Sequence, residues 1–499
     1  MTARQLAPLF LWAVVLSACG AGHTAPPAAP TAPVPSARPG ARAKPAVDRS
    51  KLPGPGPAPA WSLPAAKTWK LSNGVEVYYL EQGNTPLVSM KLVLPRGSAT
   101  DPAGRSGLTA LTADMLDEGA GGQNALALNQ ELQRLATDYG ASVGVDYASL
   151  SMNLLAENFE PSAKILSDIL QRPSLHQKDF ARRKAQRIAD ALSAQSDPGH
   201  ARGVTLRHVL FGHGYGGELP NGSVKSLKRI GLNDVKSQYR KFFTPDGAAI
   251  VVVGGIGEAQ VKKGLEAAFG TWKGKSRVKE VKVGKEKPQR AVYVVDFPGA
   301  TQSTLGVVRR TDGENTPDYF PAMVENRAFG GAFTSRLNLN LREDKGYTYG
   351  ASSVFQRWRD IGFYALVANV KTDTTRPSID QMFKELDATC GAKPLTEKER
   401  TQAVDGLLLG FPGRFEHIGG VAGQLADLPI YGRPTDWYEK WPSQVKAVTL
   451  TEANAVAKKY CDPKSYGVVI AGDLKKLRPS IEGLGMPLVV YNAEGEPAK

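Results

Sequence analysis

Histidine is scarce in this chain: there are six in 499 residues, at positions 23, 176, 200, 208, 213 and 417. Two imidazoles on one helix reach a common metal when they stand four residues apart. No pair here has that spacing, so a helical two-histidine metal site is excluded. His200 and His208, eight residues apart, read as a solvated face or a cap, and His213 reads as packing. Cysteine is sparser still, with three. Cys19 belongs to a leader, and Cys390 and Cys461 are either a disulfide or two separate buried thiols, a choice that turns on a distance. The apolar run Leu6 to Leu16 covers eleven residues, against the about 20 that a membrane-spanning helix needs. Acidic residues are outnumbered, 48 Asp and Glu against 62 Lys and Arg, for a net charge of +14. That balance would suit nucleic acid, but no segment interleaves basic and aromatic residues in a reading motif. A well-solvated surface is expected, and no nucleic-acid partner.

Arg4, the run Leu6 to Leu16 and then Ser17-Ala18-Cys19 have the order of a secretory leader. Leu16-Ser17-Ala18-Cys19 resembles a bacterial lipobox, whose cysteine becomes the lipidated N-terminus; an ordinary signal peptide with a stray cysteine is the alternative. Gly20 rather than Asp resembles lipoproteins sorted to the outer membrane. The expected location is the cell envelope, lipid-anchored at Cys19, on the periplasmic face of the outer membrane. Residues 20–61 are rich in Pro and Ala and poor in large apolar side chains. Such a segment buries no core and reads as a tether.

The body contains a repeat. Tyr239-Arg240-Lys241-Phe242-Phe243-Thr244-Pro245 followed by Ala248 to Gly254 reads against Ala457-Lys458-Lys459-Tyr460-Cys461-Asp462-Pro463 followed by Tyr466 to Gly472, at an offset of 218 residues. Asp179 to Lys184 meets Glu397 to Gln402 at the same offset. One offset shared by separate segments indicates duplication. Strands are expected at Val75 to Leu80, Val88 to Leu94, Ala148 to Leu155 and Ala248 to Gly254. Helices are expected near Leu108 to Asp117, Ala125 to Tyr139, Pro161 to Leu170, Asp179 to Ala194 and Asn233 to Phe242. In the second copy, strands are expected at Val292 to Asp296, Ser303 to Val308, Tyr347 to Phe355 and Tyr466 to Ala471. Its expected helices are Tyr319 to Phe329, Ser335 to Glu343 and Ser378 to Ala388. Mixed rather than alternating elements give an α+β class, each half a largely antiparallel sheet with helices on one face. The expected division is 62–272 and 290–490, joined by the Lys-rich linker 273–289.

The most specific stretch is Gly330-Gly331-Ala332-Phe333-Thr334-Ser335-Arg336-Leu337, continuing through Leu341-Arg342-Glu343-Asp344-Lys345-Gly346-Tyr347-Thr348-Tyr349-Gly350. With Asn73-Gly74-Val75, Leu94 to Ser98, Phe211 to Gly216 and the duplication, it resembles the pitrilysin/insulinase peptidases over nearly all of residues 67 to 480. That resemblance implies that Arg342 and Tyr349 reach toward substrate, with Gly330 and Gly331 as a glycine loop. Guanidinium and phenol are donors suited to a peptide carbonyl or its developing oxyanion.

Active members carry an H-x-x-E-H helix in the first half, with two zinc-binding His and a Glu that polarises water. Aligned on Gly107-Leu108 and Met115-Leu116, the first His falls on Ala110, the Glu on Ala113 and the second His on Asp114. The remaining Glu ligand, some 77 residues on, falls near Ala191. A methyl group has no lone pair, and Asp114 alone does not hold zinc. Asp117 and Glu118 follow, and read as a solvated cluster. No metal is expected in this chain. In two-subunit members one subunit carries zinc and the other does not, and the family takes extended peptides as added strands. The resemblance therefore implies a zinc-free, substrate-binding subunit, inactive alone, whose partner bears H-x-x-E-H and the zinc. A peptide-binding scaffold or holdase without an enzymatic partner is the alternative, and an independently active zinc peptidase lacks ligands.

Overall fold

The computed structural model describes residues 61, 63–83, 85–284 and 288–498. Cys19, the leader and all but the end of the tether lie outside them. The described residues belong to one unit built on two six-stranded sheets. The first runs, in spatial order, Lys67–Lys70, Glu76–Glu81, Ala249–Gly254, Leu87–Leu94, Ala148–Leu155 and Gly140–Val143. The second runs Thr348–Arg357, Ile361–Lys371, Gln302–Asp312, Gly467–Gly472, Val292–Asp296 and Leu488–Tyr491.

The α+β class is borne out, and the duplication is visible strand by strand. Ala249–Gly254 and Gly467–Gly472 stand 218 residues apart, and each pairs antiparallel with one long neighbour and parallel with the other. The remaining pairs of the first sheet are antiparallel. In the second sheet the C-terminal strand Leu488–Tyr491 adds a further parallel pair. Gly140–Val143 and Thr348–Arg357 thus occupy equivalent open edges.

Helices cover both faces of each sheet, where one covered face was expected. Residues such as Val77, Met90 and Ile250 meet the first half's own helices, among them Phe159–Gln171 and Glu258–Phe269. On the other face, Val93, Val251 and Val253 meet Val421, Leu425 and Leu428 of the helix Ile418–Tyr431. The second sheet is treated likewise: Leu206 and Leu210 of the helix Pro198–Phe211 join Tyr293, Val308 and Val469. The central strands are buried at all six positions, the pattern of a sheet covered on both sides. Each half therefore completes the core of the other, which explains why their contacts form one unit.

Two expected helices stop early. Leu108–Asp114 ends at Asp114, and Ala125–Arg134 gives way to Ala136 in the left-handed region (φ 49°) before the edge strand begins. Cys390 and Cys461 form a disulfide with Cα atoms 5.5 Å apart, which resolves the choice between bond and separate thiols. Among the described residues no helix is long and apolar enough to cross a membrane.

One buried acid makes stability depend on pH. Glu325, on the helix Tyr319–Phe329, is 3 % exposed, and its Oε2 has no hydrogen-bond partner. Burial pushes its pKa up to about 8, with Arg336 opposing. Between the ordinary 4.5 and 8 the folded chain holds a proton that the unfolded chain has released. Stability therefore falls as pH rises through that window. Glu325→Gln is expected to raise the melting temperature by about 2–4 °C at pH 8 relative to wild type, and much less at pH 5. Melting curves at the two pH values check it; equal gains at both would assign the effect to packing.

Candidate functional site

The helix Leu108–Asp114 starts under tight constraint. Gly107, at φ 88°, lies so close to Asn221 and Gly222 that a Cβ would come within 3 Å of their backbone. Asp101 accepts hydrogen bonds from the Gly107 and Thr109 amides (2.8 and 2.9 Å) and from the Thr109 hydroxyl (2.6 Å). The helix packs against the edge strand Gly140–Val143 and against Gln177–Ala194. The positions aligned with zinc ligands do lie on these two facing helices.

What they carry is not a metal site. Ala110 and Ala113 are buried methyl groups. Ala191 is half-buried against an apolar cluster that includes Leu111 and Met115. Asp114 is held by both arms of Arg187, Nε to Oδ2 at 2.5 Å and Nη2 to Oδ1 at 2.8 Å, and Nη1 of Arg187 donates to Asn221 Oδ1 at 2.9 Å. Arg187 lies one turn before Ala191, so a guanidinium occupies the carboxylate that faces the absent ligand. A bidentate pair of this kind holds an acid firmly and sets the guanidinium's positive charge against any cation there. The residues therefore do not fit zinc here.

The neighbouring acids extend this pattern, which corrects their reading as a solvated cluster. Glu118 is 3 % exposed and receives hydrogen bonds from Arg182 Nη2 and Arg183 Nε. Asp117 has Arg183 4.0 Å away, and burial pushes its pKa up to about 6. Three arginines of one helix thus clamp the end of the other. The sequence carried the signal, Arg182-Arg183 and Arg187 opposite Asp114, Asp117 and Glu118, but the pairing spans more than sixty residues.

The second half arranges its block differently. Gly330 is buried, and a Cβ on it would strike the Ser353 hydroxyl and amide; the Ser353 amide donates to the Gly330 carbonyl at 3.0 Å. Glycine there lets the edge strand dock against the helix end. Gly331 is exposed and lies against Asn326 and Arg327. Arg336 is locked: it forks onto Glu399 (2.5 and 2.7 Å) and donates to the Lys393 and Pro394 carbonyls. Arg342 is not locked in this way. It sits in a π-helical turn, Leu339–Asp344, with its guanidinium 4.5 Å over the Phe333 ring and 3.2 Å from Glu343 of the same turn. Tyr349 is 90 % exposed, at the irregularity where the edge strand's register breaks between Thr348 and Ala351. Phe333, Leu339 and Val354 are exposed as well, so the block presents a cation and apolar side chains at an open sheet edge.

A third cluster was not foreseen. His208 does not pair with His200; it faces His213 and Glu218. His213 Nδ1 lies 2.6 Å from Glu218 Oε1, His208 Nε2 lies 3.7 Å from Glu218 Oε2, and the rings are 5.0 Å apart. Burial works against Glu218's charge, but the two imidazoles outweigh it and hold its pKa down to about 2. Their spacing matches no helical period because only His208 is on a helix.

Fold and site together describe a duplicated α+β scaffold in which the aligned helix positions carry methyl groups and an arginine-clamped acid. Two family models match the chain, "Insulinase (Peptidase family M16)" over residues 77–207 and "Peptidase M16 inactive domain" over residues 229–407. The chain belongs to the insulinase family, peptidase family M16. It is similar to the "Non-peptidase homolog YmxG" of Helicobacter pylori, 23 % identical over 81 % of this chain and 93 % of the relative. It is also similar to the "Uncharacterized zinc protease YmxG" of Bacillus subtilis, 20 % identical over 67 % and 80 %. Among solved structures, a peptidase M16 inactive domain from Pseudomonas fluorescens matches with a TM-score of 0.76 and 23 % identity, over 82 % of this chain and 98 % of that one. The names of the two relatives differ on activity.

Proposed function

We propose that this chain is the zinc-free, substrate-binding subunit of a two-chain peptidase acting on unfolded peptides, anchored through Cys19 in the bacterial cell envelope. One contrast carries the reading. The helix Leu108–Asp114 is filled by methyl groups and an arginine clamp, while Arg342 and Tyr349 remain presented at a sheet edge.

In this reading a peptide adds as a strand to the open edges. Arg342 and Tyr349 donate to its carbonyls, and a second chain bearing H-x-x-E-H supplies the hydrolytic centre. The test is reconstitution with an H-x-x-E-H chain encoded beside this one. The isolated chain is expected to cleave no unfolded peptide, and the pair to cleave it at a rate well above the partner alone. Peptide cleavage by the isolated chain overturns the proposal. Peptide binding without any effect on such a partner would instead make it a scaffold or holdase.

A further inference from the structure

Away from the helix Leu108–Asp114, the chain carries a constellation of metal-binding character. We infer that His208, His213 and Glu218 form a binding site for a divalent first-row transition metal ion of the zinc class. Their three ligand atoms, one from each residue, lie within 4.8 Å of one another. Ligands about 2.0–2.1 Å from a tetrahedral zinc stand roughly 3.3 Å apart. His208 Nε2 stands 3.7 Å from one carboxylate oxygen of Glu218, Oε2, and His213 Nδ1 stands 2.6 Å from the other, Oε1, so the cluster reaches this spacing with side-chain shifts of about 1 Å.

The surroundings are those of a metal site. His208 Nδ1 lies 2.7 Å from the Gly495 carbonyl, which only accepts, so Nδ1 carries the hydrogen. Nε2 is then the nitrogen that faces Glu218, and a metal displacing its hydrogen would take up the lone pair there. An imidazole oriented through its other nitrogen by a carbonyl is the usual support of a ligating histidine. The loop is held as well. Arg207 lies 4.7 Å over the Trp358 ring and donates to the Gly216 and Glu218 carbonyls, each at 3.1 Å. Gly216, at φ 79°, allows the loop to close on Trp358, where a Cβ would come within 2.5 Å of the ring.

Access is also present. His208 and Glu218 line a cavity of about 410 Å³ whose walls include Arg187, Asp190 and His200. A metal held by three protein ligands at its rim keeps a fourth position for water or another small ligand. His213, with a side chain 64 % exposed, forms the outer ligand. Two imidazoles and one carboxylate suit zinc and its first-row neighbours over calcium or magnesium, which prefer oxygen.

The experiment uses the whole chain without a histidine tag, stripped of metal and titrated with Co²⁺ and then Zn²⁺. One Co²⁺ per chain with visible ligand-field absorption, displaced by one Zn²⁺, is expected. His208→Ala and Glu218→Gln are each expected to weaken binding at least about 100-fold, and His213→Ala about 10–100-fold. His213 is exposed, so its variant keeps the proposal falsifiable if the other two do not fold. Absence of one-equivalent binding, or binding unchanged in all three variants, overturns the site and leaves an imidazole–carboxylate clasp. Peptidase activity is measured separately in the reconstituted pair, so either proposal can fail without the other.

Discussion

Arg342→Ala in the reconstituted pair is expected to lower kcat about 100-fold while the two chains stay associated. The size follows from removing one positioned donor to a developing oxyanion. The choice of Arg342 follows from comparison with Arg336. Arg336 is held by Glu399, two carbonyls and the Thr389 hydroxyl, so its truncation acts on the fold. Arg342 has a ring face and one exposed carboxylate of its own turn, contacts that an incoming peptide can replace at little cost. The π turn matters too, because it projects residue 342 at an angle that a continuous α-helix would not give. Single-turnover and steady-state rates of the pair check the split, with co-elution of the subunits as the control for assembly. An unchanged kcat would leave Arg342 as a surface residue and remove half of the functional contrast.

Much of the fold was legible because its determinants are local. Alternation and apolar runs marked eight strands, and amphipathic periodicity marked several helices. Thr396 with Glu399 and Thr449 with Glu452 are reciprocal caps whose bonds are present. The helix Ile418–Tyr431 was not foreseen, since Gly419, Gly420, Gly423 and Pro429 argue against a helix locally. It exists because Val421, Leu425 and Leu428 cover the other half's sheet. Pro198–Phe211 was hidden for a similar reason: it is apolar on more than one side because it lies beneath the second sheet, and only Asp197 capping His200 with Pro198 following signalled it. The site divides the same way. The absence of zinc-ligating side chains at the aligned positions could be read position by position, whereas the clamp of Arg187 on Asp114, and the convergence of His208 with Glu218, depend on contacts between distant segments.

Replacing Cys390 and Cys461 by serine is expected to lower stability by about 4 kcal/mol, because the bond closes a long loop in the unfolded chain. The two cysteines are 71 residues apart. For a cooperative unit of this size, with about 1 kcal/mol per degree, that is a fall of roughly 4 °C in melting temperature. Cys390 ends the helix Thr375–Cys390, and Cys461 follows the helix Leu450–Tyr460; both cover the sheet whose edge carries Tyr349. The first of these helices also supports the turn of Arg342, since Asn340 donates to Glu385 at 2.5 Å and to Gln381 at 3.2 Å. The bond therefore stiffens the floor beneath the proposed substrate donors. Its loss should affect peptide binding by the second half before it affects the first. Melting curves with and without reductant measure the stability term, and limited proteolysis locates the loosened segment. Identical melting in the two conditions would show that the helices are held without the bond. Cleavage appearing first near Leu339–Asp344 would tie the disulfide to the substrate-facing block.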